Sequence, residues 1–247
     1  ASAFYALSVI PEDFHVWDYL DNSRTQEAYN KIVNGDADII FVAQPSDGQK
    51  KRAEKSGVTL LYTPFAREAF VFIVNADNPV NSLTEQQVRD IFSGAITNWR
   101  TVGGKDQEIQ TWQRPEDSGS QTVMQSQVMK NVRMISPQET EVASMMEGMI
   151  KVVAEYRNTN NAIGYTFRYY ATQMNADKNI KLLAINGIAP TAENIRNGKY
   201  PYIVDAFMVT RENTTSETQK LVEWFLTPQG QSLVEDVGYV PMYPTMK

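Results

Sequence analysis

Cysteine is absent from the 247 residues. A disulfide framework, a thiolate nucleophile and a zinc–thiolate centre are therefore excluded. Histidine is nearly absent. His15, the single one, sits among Phe14 and Trp17, and the sequence offers it no partners for a catalytic triad. A packing or surface role is the expectation. An excess of positive charge is also lacking: 23 Lys and Arg stand against 29 Asp and Glu, a net charge of −6. A nucleic-acid binder needs a basic face to neutralise phosphates, so that class is disfavoured; one local basic pocket for a small anion is not. No apolar run reaches the ~18 residues of a membrane-spanning helix. No secretory leader is recognisable and Ala1 is not a natural start, which leads us to expect a processed or trimmed chain. No metal-ligand cluster or cofactor motif stands out. Gly103-Gly104-Lys105 lacks the spacing of a phosphate-binding P-loop and reads as a turn.

What is present is ordinary and globular, 42% hydrophobic and 21% charged, with enough chain for one large domain or two small ones. There is no internal repeat and no low-complexity tract. Strand-like and helix-like segments alternate. The pattern predicts helices over 25–34 (stopped by Gly35), 46–56, 122–130, 139–156 and 215–225, the last followed by Thr227-Pro228-Gln229-Gly230-Gln231 and a further short helix. Another helix opens at Ser82, which stands three residues before Glu85 as in a capping box, and stops at Gly94. Strands are predicted over 58–63, 69–75, 109–113, 162–166 and 180–185, and 204–210 is apolar. The run 38–43 reads as a buried parallel strand. Such alternation implies an α/β fold with largely parallel sheets, in which ligands collect where a strand passes through a loop into a helix.

One segment has that form. Gln113-Arg114-Pro115-Glu116-Asp117-Ser118-Gly119-Ser120-Gln121-Thr122 leads from a short strand into a helix. A helix start presents unpaired N–H groups and partial positive charge. Glycine lets an anion approach that backbone, and the serine hydroxyls add donors. Arg114 offers a planar fork suited to a tetrahedral oxyanion. Two readings of the segment stand side by side: an anion cradle, or simply a serine-capped helix after a turn.

Several segments, in order, resemble the phosphate-binding proteins of ABC transporters, within the two-domain periplasmic-binding-protein superfamily (type II). They are Asn34-Gly35-Asp36-Ala37-Asp38 running on to Ser46, Arg67 to Asn75, Asn78-Pro79-Val80, and Ile91-Phe92-Ser93-Gly94-Ala95-Ile96-Thr97-Asn98-Trp99. Arg114 to Ser120, Ala162 to Tyr170 and Phe225-Leu226-Thr227-Pro228-Gln229-Gly230-Gln231 follow. The glycine- and tryptophan-bearing run ending at Trp99 is the most specific of these. The resemblance implies two α/β domains, each a mainly parallel sheet flanked by helices, with the ligand in a cleft between them. The first domain would be discontinuous, 1–75 plus 201–247, and the second 76–200, joined by hinge strands near 70–76 and 200–206.

By the same resemblance Arg114 is the charged donor to the anion, Ser118, Gly119 and Ser120 give hydroxyl and backbone donors, and Gln121 adds an amide. Glu116 stands where an acid braces the arginine. Ser2 is a donor from the first domain; the strand that precedes such a loop in the family lies outside this chain. Three departures bear on the ligand. Phosphate-selective relatives place an aspartate where this chain has Gln44, to accept the proton of hydrogen phosphate. Glu68 is the alternative acceptor, or else a solvated strand residue. Asp117 stands where glycine is common. Arg168 either lines the cleft or lies on the surface.

The implied function is an extracytoplasmic receptor, periplasmic or at the cell surface, that captures inorganic phosphate or a similar oxyanion and delivers it to an ABC permease. The expected receptor is a monomer that binds no nucleic acid and catalyses nothing. A lipid anchor in the precursor would need a cysteine that these residues do not contain. Alternatives are a binder of another oxyanion, a degenerate sensor or scaffold, and a phosphoryl-transfer hydrolase, for which no nucleophile–base pair is found.

Overall fold

The computed structural model describes residues 19–116, 118–130, 132–137, 146–155, 161–174 and 176–246. His15 and Ser2 lie outside the described residues. In chain order the regular elements are α1 (Thr25–Asn34), β1 (Ile39–Val42), α2 (Asp47–Lys55), β2 (Leu60–Asn75), β3 (Ser82–Leu83), α3 (Glu85–Ser93), β4 (Gln110–Thr111), α4 (Gly119–Val123) and α5 (Met146–Glu155). After these come β5 (Ala162–Phe167), β6 (Ile180–Leu182), β7 (Ala184–Ile185), α6 (Ala192–Arg196), β8 (Ile203–Arg211), α7 (Ser216–Leu226), α8 (Pro228–Asp236) and β9 (Val240–Pro241). The chain divides into two compact units. One holds residues 19–42, 47–66 and 206–246, the other the described residues of 43–46 and 67–205. The chain thus passes from one unit to the other inside β2 and inside β8. Residues 67–75, assigned above to the first domain, pack with the second unit.

In the first unit β1 pairs antiparallel with β8, from Ile39 opposite Thr210 to Val42 opposite Phe207. Helix α1 lays Tyr29, Ile32 and Val33 against Ile40, Ala53 and Val209. These positions recur at helical spacing, so one face of α1 is apolar. Gly35 ends α1 with φ 90°, a left-handed cap that glycine adopts without strain. A second cluster gathers Phe65, Ala66, Met208, Phe225 and Val234. Within it the Phe65 and Phe225 rings meet edge to face at 5.7 Å.

At the centre of this unit lies Gln231, fully buried. Its Nε2 donates to the carbonyls of Phe65 (2.9 Å) and Phe225 (2.8 Å). Its Oε1 accepts from the N–H groups of Met242 (2.8 Å) and Tyr243 (3.0 Å). One amide therefore satisfies four backbone groups from β2, α7 and the segment after β9.

In the second unit β2 pairs antiparallel with β5, from Phe70 opposite Phe167 to Val74 opposite Ile163, and antiparallel with β6. Two short pairs, β4 with β5 and β3 with β7, are parallel. The long described pairings are thus antiparallel, which corrects the expectation of mainly parallel sheets and of a parallel strand at 38–43. Nor is β1 buried on both faces, since Ile40 is buried but Phe41 is exposed; a continuous apolar run decides neither burial nor direction. Phe70, Phe72, Phe92 and Tyr165 form an aromatic centre with ring separations of 5.4 to 6.5 Å. Gly164 in β5 leaves room for Met149 of α5, whose sulfur occupies the space a Cβ would need.

Two local readings are revised. The expected strands 58–63 and 69–75 are one strand, β2, continuous through Pro64; the residues before Phe65 are only partly covered, the setting in which a strand tolerates proline. The cap of α3 is Thr84, not Ser82. Thr84 Oγ1 accepts from Gln87 N–H at 3.0 Å, and Gln87 Oε1 accepts from Thr84 N–H at 2.8 Å. Ser82 sits in β3 and accepts from Gly187 N–H. Gly94 closes α3 with φ 83° as expected. Trp99, buried, donates Nε1–H to the Asn161 carbonyl at 2.8 Å, so the tryptophan of that run holds the edge of the second unit.

Candidate functional site

Strand β4 delivers the chain to Arg114, and α4 begins five residues later. Ser118 is its cap, with extended φ −73° and ψ 142°. The Ser118 hydroxyl accepts from Gln121 N–H at 3.2 Å, and its carbonyl accepts from Thr122 N–H at 2.9 Å. A hydroxyl that accepts through oxygen keeps its own proton for a ligand. Gly119 and Ser120 supply the first-turn N–H groups, which have no carbonyl one turn earlier in the helix. Ser120 is fully buried, and its Oγ has no hydrogen-bond partner among the described residues. A buried hydroxyl left unsatisfied costs about 1–3 kcal/mol.

Arg114 is fixed through its backbone. Its N–H lies 3.1 Å from the Tyr165 hydroxyl and 3.3 Å from Gln121 Oε1. Tyr165 in turn donates to Gln121 Oε1. Burial pushes the Tyr165 phenol well above its ordinary value, so it stays protonated, while the Arg114 charge pulls the other way. Gln121 is therefore a brace: its Oε1 is consumed by Arg114 and Tyr165, and its Nε2 faces the Met134 sulfur at 4.0 Å. Tyr165 was not singled out from the sequence as a site residue. Its signal was a tyrosine in the strand beside the anion loop, and only strand pairing brings it there.

The other expected residues are dispersed. Glu116, exposed, accepts from Gln125 Nε2 at 3.2 Å. Gln44 is tied at both amide atoms, Nε2 to Ser126 Oγ at 2.8 Å and Oε1 from Gln127 Nε2 at 3.2 Å. Both partners lie on Met124–Met129, where the helix widens into a π-turn. The expected helix over 122–130 is thus an α-turn followed by this π segment.

Glu68 is buried, not solvated. Its carboxylate accepts from Ala69 N–H at 2.7 Å and Tyr169 N–H at 2.9 Å. Burial pushes its carboxyl up to about 7; the two N–H groups and the nearby Arg168 charge act against that rise. Arg168 thus stands by Glu68. With the folded value above the ordinary 4.5, the native state holds the extra proton. The stability this confers is complete below about pH 4.5 and is lost as pH rises through about 7. The window corresponds to about 3 kcal/mol. Urea denaturation of wild type and Glu68→Gln at pH 5 and pH 8 should show this slope in the wild type and a flat response in the variant. Equal slopes would place Glu68's titration outside the folding equilibrium.

The sequence model of the PBP superfamily domain matches residues 13–229. The chain belongs to that superfamily. The phosphate-binding protein PstS of Bacillus subtilis is 29% identical over 170 residues, covering 68% of this chain and 53% of that protein. This chain therefore matches about half the length of that relative. Among solved structures, a protein named as a candidate phosphate ABC transporter substrate-binding protein, with bound phosphate, from Clostridium perfringens superposes with a TM-score of 0.70. It is 24% identical, and the match covers 87% of this chain and 84% of that one. An ABC-type phosphate transport receptor from Vibrio cholerae gives a TM-score of 0.65 at 23% identity, with the same coverage. These likenesses establish the type II α/β fold for this member of the superfamily. Among the described residues no helix is long and apolar enough to cross a membrane, and no group of three acidic or histidine side chains could hold a metal.

Proposed function

We propose that the chain is a non-catalytic, extracytoplasmic receptor that captures inorganic phosphate and hands it to an ABC permease, acting as a monomer. The observation that carries this reading is the unsatisfied, fully buried Ser120 hydroxyl at the start of α4, beside the Gly119 and Ser120 N–H groups, with the Arg114 N–H held by Gln121 of the same turn. The names of the relatives and of the superposed structures support it. Arg114, Ser118, Gly119 and Ser120 are the proposed ligands. Tyr165 and Gln121 hold the arginine's backbone in place, and no metal or cofactor is needed. Preorganised neutral donors with one guanidinium suit a dehydrated oxyanion, since none must be ordered on binding.

A second reading, another oxyanion such as sulfate, is favoured by Gln44. The position has no carboxylate to accept a ligand proton, and its amide is already engaged with Ser126 and Gln127. The deciding experiment is calorimetric titration of anion-stripped protein with phosphate, with and without excess sulfate. One-to-one binding that survives sulfate supports the phosphate receptor. Equal competition by sulfate supports the second reading, and silence toward both anions overturns the two together.

A further inference from the structure

A pocket of about 290 Å³ opens in the second unit behind α4, lined without Arg114, Ser118 or Ser120. Its size falls at the small end of ligand sites. The floor is buried and polar: Gln113 is 3% exposed and Gln121 4%, with Met129 beside them. Gln113 spends its Nε2–H on the Ile135 carbonyl at 2.9 Å, which leaves its Oε1 as an acceptor. Gln121 Nε2 has only the Met134 sulfur at 4.0 Å, a weak acceptor for a buried amide. The floor therefore presents one unused acceptor and one poorly used donor. A polar ligand can engage both groups.

The mouth carries both signs of charge. Glu116 and Lys130 line it, and both are exposed. Glu116 is bonded to Gln125, and Lys130 makes no ion pair among the described residues. Lys130 is also one of the non-glycine residues held at positive φ, 52° with ψ −112°, directly after the π-turn. Strained backbone and π-turns persist where the surroundings hold a side chain in a particular place. A free anion would meet the Glu116 carboxylate, and a free cation the Lys130 ammonium. A ligand bearing both charges satisfies both.

We propose that this pocket binds a small zwitterion, an α-amino acid with an uncharged side chain. Its ammonium group would lie toward Glu116 and its carboxylate toward Lys130. Its side chain would rest on the Gln113 and Gln121 amides and the Met129 and Met134 thioethers. The site stands apart from the anion loop's donors, so it can be occupied whether or not phosphate is the ligand there.

The test is calorimetry with L-glutamine and L-methionine as probes on the whole chain, with backbone amide shifts at Lys130 as a second readout. Saturable one-to-one binding of either probe is expected. Lys130→Gly, which relieves the positive φ and removes the ammonium, should weaken it about tenfold. Met134→Trp, which fills the pocket, should abolish it. Absence of heat and of shifts with both probes overturns the proposal. So does binding that neither substitution weakens. Should Met134→Trp fail to fold, Lys130→Gly decides alone, because a glycine is favoured at that backbone conformation.

Discussion

Arg114→Met is expected to weaken phosphate binding by about a hundredfold or more while leaving the fold intact. Methionine keeps an apolar stem of comparable length but removes the guanidinium. The backbone N–H of residue 114 still meets Tyr165 and Gln121, so the loop keeps its course. Removing one partner of a buried, hydrogen-bonded charge pair costs about 2–5 kcal/mol, because the remaining charge loses its counterpart. Taking 3 kcal/mol as about the middle of that range gives the hundredfold figure. Arg114→Lys should recover part of the loss, since charge returns without the two-pronged donor geometry. Calorimetry on the three proteins, with thermal unfolding as the control, tests this. An Arg114→Met protein that binds phosphate like the wild type would remove Arg114 from the site and leave the serine-capped helix as the reading of the segment.

Gln231→Leu is expected to destabilise the first unit by about 4 kcal/mol. Leucine matches the volume but offers nothing to the Phe65 and Phe225 carbonyls or to the Met242 and Tyr243 N–H groups. Each buried backbone group left without a partner costs about 1–3 kcal/mol, and relaxation toward water recovers some of the total. The effect should be local. Hydrogen exchange should show Met242 and Tyr243 amides losing protection, while amides of β5 in the second unit exchange as before. Two-unit proteins need not unfold in one step, which is why a residue-level readout is preferred to a single midpoint. Unchanged protection at both amides would show that the chain end is held by something other than Gln231.

Gln231 also illustrates how far sequence patterns reach. A glutamine between two helices reads as polar surface, but α8 begins earlier than expected, with Thr227 as cap and Pro228 in the first turn, and takes Gln231 into the helix. That its amide lies at the centre of a unit depends on β2 and the residues after β9 arriving there from opposite ends of the chain. The same division runs through the candidate site. The cap at Ser118 and the turn into a helix are local events, set by residues within a few positions of one another, and they were legible from spacing alone. The role of Gln121 was not. Its amide was read as a donor to the ligand, but that its carbonyl also holds Tyr165 and the Arg114 N–H follows only from β5 pairing beside β4.

Of the two readings of Glu68, only the solvated one is removed by the fold. In sequence it is one charge between an alanine and an arginine on an exposed-looking strand. Folding buries it against the N–H of Tyr169, 101 residues later, and lifts its carboxyl to about 7.

The residues in order were enough for the α/β class, the helix at 25–34 with its glycine stop, the glycine that ends α3, the absence of any cysteine thiol, and the anion-loop hypothesis. Each of these rests on local propensity, on composition or on a contiguous motif. Strand direction, the exchange of chain between units inside β2 and β8, the bracing of Arg114, the burial of Glu68 and Gln231 and the pocket behind α4 came from the fold. Each joins segments tens of residues apart, and burial, pairing and desolvation exist only once those segments meet.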